Sequence, residues 1–148
     1  MSTFFGYWLA DGNLRSLVYL KLILGGILIT GASNGFNQII EVKTDGLMSR
    51  TSSRPLPSKV LNNFEALVFC SLSGVLGLYL LADINFNSFI LGLLAMVTYT
   101  SIYTPLKKIT PFAVFIGAIP GSIPPLLGYV AVTNSFGLEP GILFIVQF

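Results

Sequence analysis

Length, composition and charge place this chain of 148 residues among membrane proteins. Hydrophobic residues make up 53% and charged residues only 9% of it, and its mean hydropathy is +0.81, whereas a soluble domain is usually about one-quarter charged. The net charge of +2, without a basic run interleaved with stacking aromatics, argues against a nucleic-acid groove. The sequence has no histidine and one cysteine, Cys70, which excludes imidazole-based zinc, haem or acid–base sites and an internal disulfide. Any metal must therefore be held by oxygen.

Apolar runs predict a helical membrane protein. Spans of about 20 residues are expected over about 17–40, 64–82, 88–104 and 112–132. Residues 1–10 are typical of the last turns of an apolar helix, and 141–148 is an apolar run too short to cross a bilayer. We therefore expect an all-α polytopic membrane helical bundle with about four full transmembrane helices. It would be a single domain over residues 1–148, truncated at both ends.

A polar segment extends the first span and contains the strongest candidate for a metal site. Asn37, Glu41 and Asp45 are spaced at i, i+4 and i+8, so a continuing helix would present their oxygens on one face. Both carboxylates lie near a helix C-terminus, where the dipole disfavours them by about 0.3–1 kcal/mol, and a bound hard cation would offset that. A simple ion-pair cluster with Arg50 and Arg54 is the alternative interpretation.

The segments farther along the chain contribute a second polar group. The prolines in Arg54-Pro55-Leu56-Pro57 predict an extended, non-helical conformation. Near the end of the third span, Tyr99 and Tyr103 share one helical face, either as interfacial anchors or as hydroxyl donors to a ligand. Pro105 is expected to close that span, and a short basic connection with Lys107 and Lys108 follows.

The distribution of charge predicts the topology. The loops after the first and third spans are separated by two crossings and must lie on the same side of the membrane. They hold six of the eight basic residues, which are Lys43, Arg50, Arg54, Lys59, Lys107 and Lys108. By the positive-inside rule these loops are cytoplasmic. Topology signalling alone would explain them, but together with the carboxylate face they also suit a polyanion such as diphosphate, bound through Mg²⁺ and the basic side chains.

Two motifs resemble the UbiA superfamily of intramembrane prenyltransferases, and within it most closely the protoheme IX farnesyltransferase (haem O synthase) branch. The first motif comprises Ala32-Ser33-Asn34, Asn37-Gln38, Glu41, Asp45, Met48, Arg50-Thr51 and Arg54-Pro55-Leu56. The second comprises Tyr103-Thr104, Leu106-Lys107-Lys108, Thr110, Gly117, Gly121, Pro124-Pro125 and Gly128. The resemblance covers nearly all of the chain.

The resemblance implies a reaction and a division of roles. Asn37, Glu41 and Asp45 would be the catalytic residues that coordinate Mg²⁺ on farnesyl diphosphate. The diphosphate would be bound by Arg50, Arg54, Tyr103, Lys107 and Lys108. The farnesyl group would be added, with water, to a vinyl group of haem B to give haem O, in the inner (plasma) membrane and in association with haem A synthase.

The chain also departs from this family. Lys108 stands where the family commonly has arginine, which keeps the charge but loses the bidentate fork. The family's second Asp-rich loop and most of its first helix are not found, so we expect the 148 residues to be inactive alone. The alternatives are another UbiA-type enzyme acting on a quinone precursor or a chlorin, and a transporter or scaffold whose proline-broken fourth helix lines a path.

Overall fold

The computed structural model describes residues 2–148, and over that range it contains helices joined by turns, bends and irregular segments, with no strand. The helices are α1 (Ser2–Leu9), α2 (Leu17–Asp45), α3 (Asn63–Ala82), α4 (Phe86–Val97), a π-helix (Thr98–Tyr103), α5 (Thr104–Leu106), α6 (Ala113–Thr133) and α7 (Leu138–Gln147). Within residues 2–148, four continuous helical stretches are long and apolar enough to cross a membrane: Leu17–Asp45, Asn63–Ala82, Phe86–Leu106 and Ala113–Thr133. The predicted all-α membrane bundle is thus confirmed, and the chain is a multi-pass membrane protein.

Side chains that satisfy free backbone groups set the helix starts. Ser16 caps α2 by accepting a hydrogen bond from the Tyr19 amide at 3.1 Å. Asn62 and Glu65 form a reciprocal capping box at the start of α3, which satisfies two otherwise unpaired N–H groups. Such caps fix where each span begins, and the observed bounds lie within two residues of the predicted starts of the first four spans.

Glycine allows two pairs of helices to approach closely. A Cβ added at Gly77 of α3 would lie 3.0 Å from the carbonyl oxygen of Gly25 in α2. A Cβ at Gly128 of α6 would lie 2.2 Å from the carbonyl oxygen of Thr3 in α1. Only small residues permit such backbone contact between lipid-embedded helices.

The two ends of the bundle differ in their polar contacts. At the end that holds the α3–α4 turn, Lys21 pairs with Asp83. Asn85 donates to the carbonyl of Val130 at 3.1 Å. The opposite end holds the α2–α3 loop and the α5–α6 connection, which places the two basic loops together, as predicted.

The helix of the first span continues through the polar segment to Asp45, as the spacing of Asn37, Glu41 and Asp45 predicted. Two other sequence predictions need correction. The segment around Pro55 and Pro57 is non-helical but folds into successive turns, with the Ser58 amide donating to the Arg54 carbonyl at 3.0 Å. It is not extended, because the proline φ near −65° also suits turn positions. The third span ends at Leu106, one residue past Pro105, and contains a π-helix.

Candidate functional site

The three predicted oxygen ligands lie along one buried face of α2. Asn37 and Glu41 are each 8% exposed, and Asp45 is 5% exposed. They are buried because the helix continues through the polar segment, and the i, i+4, i+8 spacing turns all three side chains inward. Buried carboxylates require partners, and the partners come from the two basic loops.

Lys107 joins the start of the α5–α6 connection to α2. Its ammonium lies 2.8 Å from Oε2 of Glu41 and donates to Oδ1 of Asn37 at 3.2 Å. The Lys108 ammonium is more distant, 3.9 Å from the other Glu41 oxygen. The predicted approach of this basic connection to the carboxylate face is therefore confirmed.

Arg54 makes the corresponding contact from the α2–α3 loop. Its Nη1 donates to Oδ2 of Asp45 at 2.7 Å. The buried Thr51 hydroxyl donates to the Asp45 backbone carbonyl at 2.8 Å, which ties the loop to the end of α2. Arg50, by contrast, is exposed and forms no ion pair within residues 2–148, so the structure does not bring it into the cluster.

Tyr103 lies at the edge of this cluster. The Lys107 ammonium is 5.4 Å from the centroid of its ring, within the range of a cation–π contact. The Tyr99 and Tyr103 rings lie 5.3 Å apart, so the two tyrosines share a face, as the sequence predicted. Gly117 of α6 provides room for the Tyr103 ring.

These ion pairs change the electrostatic argument drawn from the sequence. Lys107 and Arg54 supply positive charge beside the carboxylates at the C-terminal end of α2. A bound metal is therefore not needed to explain why carboxylates are tolerated at the negative end of the dipole. The metal assignment must stand on the donor set itself.

The donor set fits Mg²⁺ bound together with a substrate. Within residues 2–148 no three His, Cys, Asp or Glu side chains form a metal-binding group, and the face offers two carboxylates and one amide oxygen. Mg²⁺ is commonly held by one or two carboxylates, with substrate phosphates and waters completing its octahedron. Asn37, Glu41 and Asp45 could hold it in that manner.

An apolar cavity leads away from the polar face into the bundle. One chamber of about 570 Å³ lies among α1, α2, α4 and α6, and a second of about 300 Å³ shares Ile29, Thr30 and Pro120 with it. The second chamber is also lined by Ser33, one helical turn before Asn37. Volumes of about 300–1,000 Å³ are usual for small-molecule sites, so an amphiphile with a polar head could be accommodated.

The structure adds a contact from Thr104, a residue to which the sequence assigned no role. Thr104 is fully buried, and its hydroxyl donates to Oδ1 of Asn37 at 3.0 Å. A single threonine beside a tyrosine carries no hydropathy signal. The signal that the sequence offered was its place in the second motif, directly after Tyr103.

Comparison with known proteins agrees with this architecture. The model of the UbiA prenyltransferase family matches residues 1–148. The chain is 46% identical over 145 residues to a protoheme IX farnesyltransferase of Cytophaga hutchinsonii, which covers 97% of this chain and 51% of that protein. It is 47% identical over 131 residues to one of Flavobacterium johnsoniae, covering 88% of this chain and 44% of that protein.

A more distant relative extends the comparison to eukaryotes. The mitochondrial protoheme IX farnesyltransferase of Pyricularia oryzae is 37% identical over 132 residues, covering 87% of this chain and 24% of that protein. No solved structure matches. The chain spans about half the length of the bacterial relatives it matches.

Proposed function

This chain belongs to the UbiA prenyltransferase family, and from that premise we propose that it acts in protoheme IX farnesyl transfer. The farnesyl group of farnesyl diphosphate would be moved to a vinyl group of haem B, giving haem O. The observation that carries the proposal is the buried oxygen face of α2, flanked by cations from two loops and open to an apolar cavity. Relatives at 46–47% identity are named for this reaction.

The reaction requires charge stabilisation at the diphosphate. The allylic C–O bond breaks with its electron pair leaving on diphosphate. The farnesyl cation is then attacked by the vinyl double bond, and water adds to the resulting carbocation and releases a proton. Stabilising charge on the departing diphosphate is the main task of such a site. It would fall to Arg54, Tyr103, Lys107 and Lys108 in the cluster, and to Arg50 from outside it. Mg²⁺ held by Asn37, Glu41 and Asp45 would supply further positive charge there.

The ion pairs suggest how the basic side chains would act. Lys107 and Arg54 neutralise Glu41 and Asp45 across distances of 2.8 and 2.7 Å. Both side chains are long and remain about one-third exposed, so they can turn from the carboxylates to phosphate oxygens. Arginine would contribute a bidentate contact and lysine a compact charge.

The cavity suits the hydrocarbon part of the substrate. Its chambers are lined mostly by apolar side chains such as Ile29, Ile123 and Leu127, and it meets the polar face near Ser33. A farnesyl chain placed there would be shielded from water, which limits premature hydrolysis of the carbocation.

The membrane setting is part of the same proposal. With the basic loops cytoplasmic, as the positive-inside rule favours, the diphosphate would be recruited from the cytoplasmic face of the inner (plasma) membrane. Haem O leaves as an amphiphile, and haem A synthase is the partner that would receive it.

The proposal is tested by substrate choice in the intact membrane protein. We expect Mg²⁺-dependent formation of haem O from farnesyl diphosphate and haem B, and no prenylation of 4-hydroxybenzoate or a chlorin. Prenylation of either of those acceptors instead would assign the chain to another branch of the family. Absence of Mg²⁺-dependent binding of farnesyl diphosphate would favour a transporter or scaffold.

A further inference from the structure

Thr104 is a buried polar residue beside the candidate site without a role in the proposed reaction. Its residue exposure is 0%, and it begins α5, directly after the π-helix. A buried hydroxyl without a hydrogen bond would be destabilising. The groups that the Thr104 hydroxyl contacts therefore indicate its role.

The hydroxyl proton of Thr104 is available to Asn37. Thr104 Oγ1 lies 3.0 Å from Oδ1 of Asn37 and 2.8 Å from the Tyr99 carbonyl oxygen. A hydroxyl has one proton, but the Tyr99 carbonyl already accepts the Thr104 backbone N–H. The proton can therefore be given to Asn37 without leaving a buried carbonyl unpaired.

This bond gives the Asn37 amide oxygen a second donor beside the Lys107 ammonium. Oδ1 has two acceptor positions; Thr104 fills one, and the Lys107 ammonium at 3.2 Å fills the other. Without the hydroxyl, only the Lys107 ammonium holds Oδ1 in place, so once that lysine turns to a phosphate oxygen the amide can rotate and present Nδ2, which repels a cation. Thr104 thus keeps an oxygen directed at the position where positive charge lies.

The π-helix sets the direction of Thr104. A π-helical turn is equivalent to one residue inserted into an α-helix, and one residue corresponds to about 100° of rotation at 3.6 residues per turn. The turn over Thr98–Tyr103 therefore rotates both Thr104 and Lys107 relative to an uninterrupted α-helix. Both contacts with α2 depend on that rotation.

We propose that Thr104 is a positioning residue that holds the Asn37 amide oxygen toward a cation–diphosphate complex. The inference rests on the proposed function, since it takes the complex as the ligand of this face. Outer-shell hydrogen bonds of this kind typically change metal affinity or activity by about 10–100-fold.

The test compares Thr104→Val, which removes the hydroxyl, with Thr104→Ser, which keeps it. The control is Thr100→Val in the same π-helix, where the hydroxyl donates to the Met96 carbonyl at 2.8 Å and Asn37 is not involved. Binding of Mn²⁺ in the presence of inorganic diphosphate is followed by electron paramagnetic resonance on the intact protein in detergent. We expect about 10–100-fold weaker binding for Thr104→Val and near wild-type binding for the other two. Wild-type affinity in Thr104→Val would overturn the inference.

A second background separates positioning from a merely structural role. Aspartate at position 37 offers an oxygen in either orientation, so Thr104→Val should have little further effect on Mn²⁺ binding in an Asn37→Asp protein. An undiminished loss there would reject the positioning role. Thr104→Ala serves as a second hydroxyl-free variant if valine prevents folding, with the same expected loss. If the wild type shows no diphosphate-dependent Mn²⁺ binding, the proposed function fails as well; if it binds and all Thr104 variants match it, only this inference fails.

Discussion

Gly117 offers a way to disturb the candidate site without disturbing the fold. It lies on α6 against the Tyr103 ring, and a Cβ at this position would be 2.7 Å from Cε2 and 2.8 Å from Cδ2. Gly117→Ala therefore pushes directly on a side chain proposed to bind diphosphate. The same ring lies 5.4 Å from the Lys107 ammonium, so the push reaches the ion pair with Glu41.

The size of the displacement follows from these distances. Ordinary van der Waals contact begins near 3.4 Å, so the Tyr103 ring must retreat by about 0.7 Å, the difference between 3.4 and 2.7 Å. Overpacking typically destabilises by about 1–3 kcal/mol, while alanine in place of glycine within a helix returns about 1 kcal/mol. The net loss of stability should therefore be about 0–2 kcal/mol. A misplacement near 1 Å can lower a rate by about 10²-fold, and we expect a loss of about 10–100-fold here.

The assay measures farnesyl transfer to haem B and thermal unfolding on the same preparations. Gly31→Ala is the matched control, because a Cβ at that exposed position of α2 meets nothing within 4 Å. We expect the control to keep wild-type turnover, whereas Gly117→Ala loses turnover out of proportion to its stability. If a folded Gly117→Ala protein keeps wild-type turnover, the placement of the Tyr103 ring does not matter to the reaction and the reasoning is refuted.

Three other substitutions test separate parts of the structure. Asp45→Asn should lower turnover by on the order of 10²-fold or more, since a carboxylate metal ligand is worth several kcal/mol. It should change the free energy of unfolding by only about 1 kcal/mol, because the arginine that pairs with Asp45 is partly exposed. Wild-type turnover in this variant would remove the metal assignment. Gly128→Ala should lower the free energy of unfolding in detergent by about 1–3 kcal/mol, because the added Cβ would lie 2.2 Å from the Thr3 carbonyl oxygen. An unchanged unfolding midpoint would contradict that contact. Asn85→Ala should destabilise by about 2 kcal/mol through loss of the helix cap to the Ser88 amide and of the bond to α6. Asn85→Ser, which keeps a cap oxygen without placing a second oxygen against the Val130 carbonyl, should recover about half.

Hydropathy predicted most of the fold because the bilayer imposes it. An apolar run of about 20 residues must form a helix in lipid, where every backbone group needs an internal partner, and the four spans were found near their predicted positions. The 3.6-residue period also predicted that Asn37, Glu41 and Asp45 share one face, since that relation is local. The proline-containing loop was misjudged because proline suits both turns and extended chain, and only contacts with the rest of the loop decide between them.

Tertiary structure alone decided which charges meet at that face. The pairing of Lys107 with Glu41 joins residues 66 positions apart, and the Thr104 bond to Asn37 spans 67; both depend on how α2 packs beside the third span. The π-helix turns Thr104 and Lys107 toward α2. It arises from a shift in backbone hydrogen bonding, which cannot be predicted from residue type or from the hydrophobic period. The sequence by itself determined a membrane bundle with an oxygen-rich helix face. Packing determined that this face is neutralised by lysine and arginine and that a buried threonine hydroxyl donates to its amide oxygen.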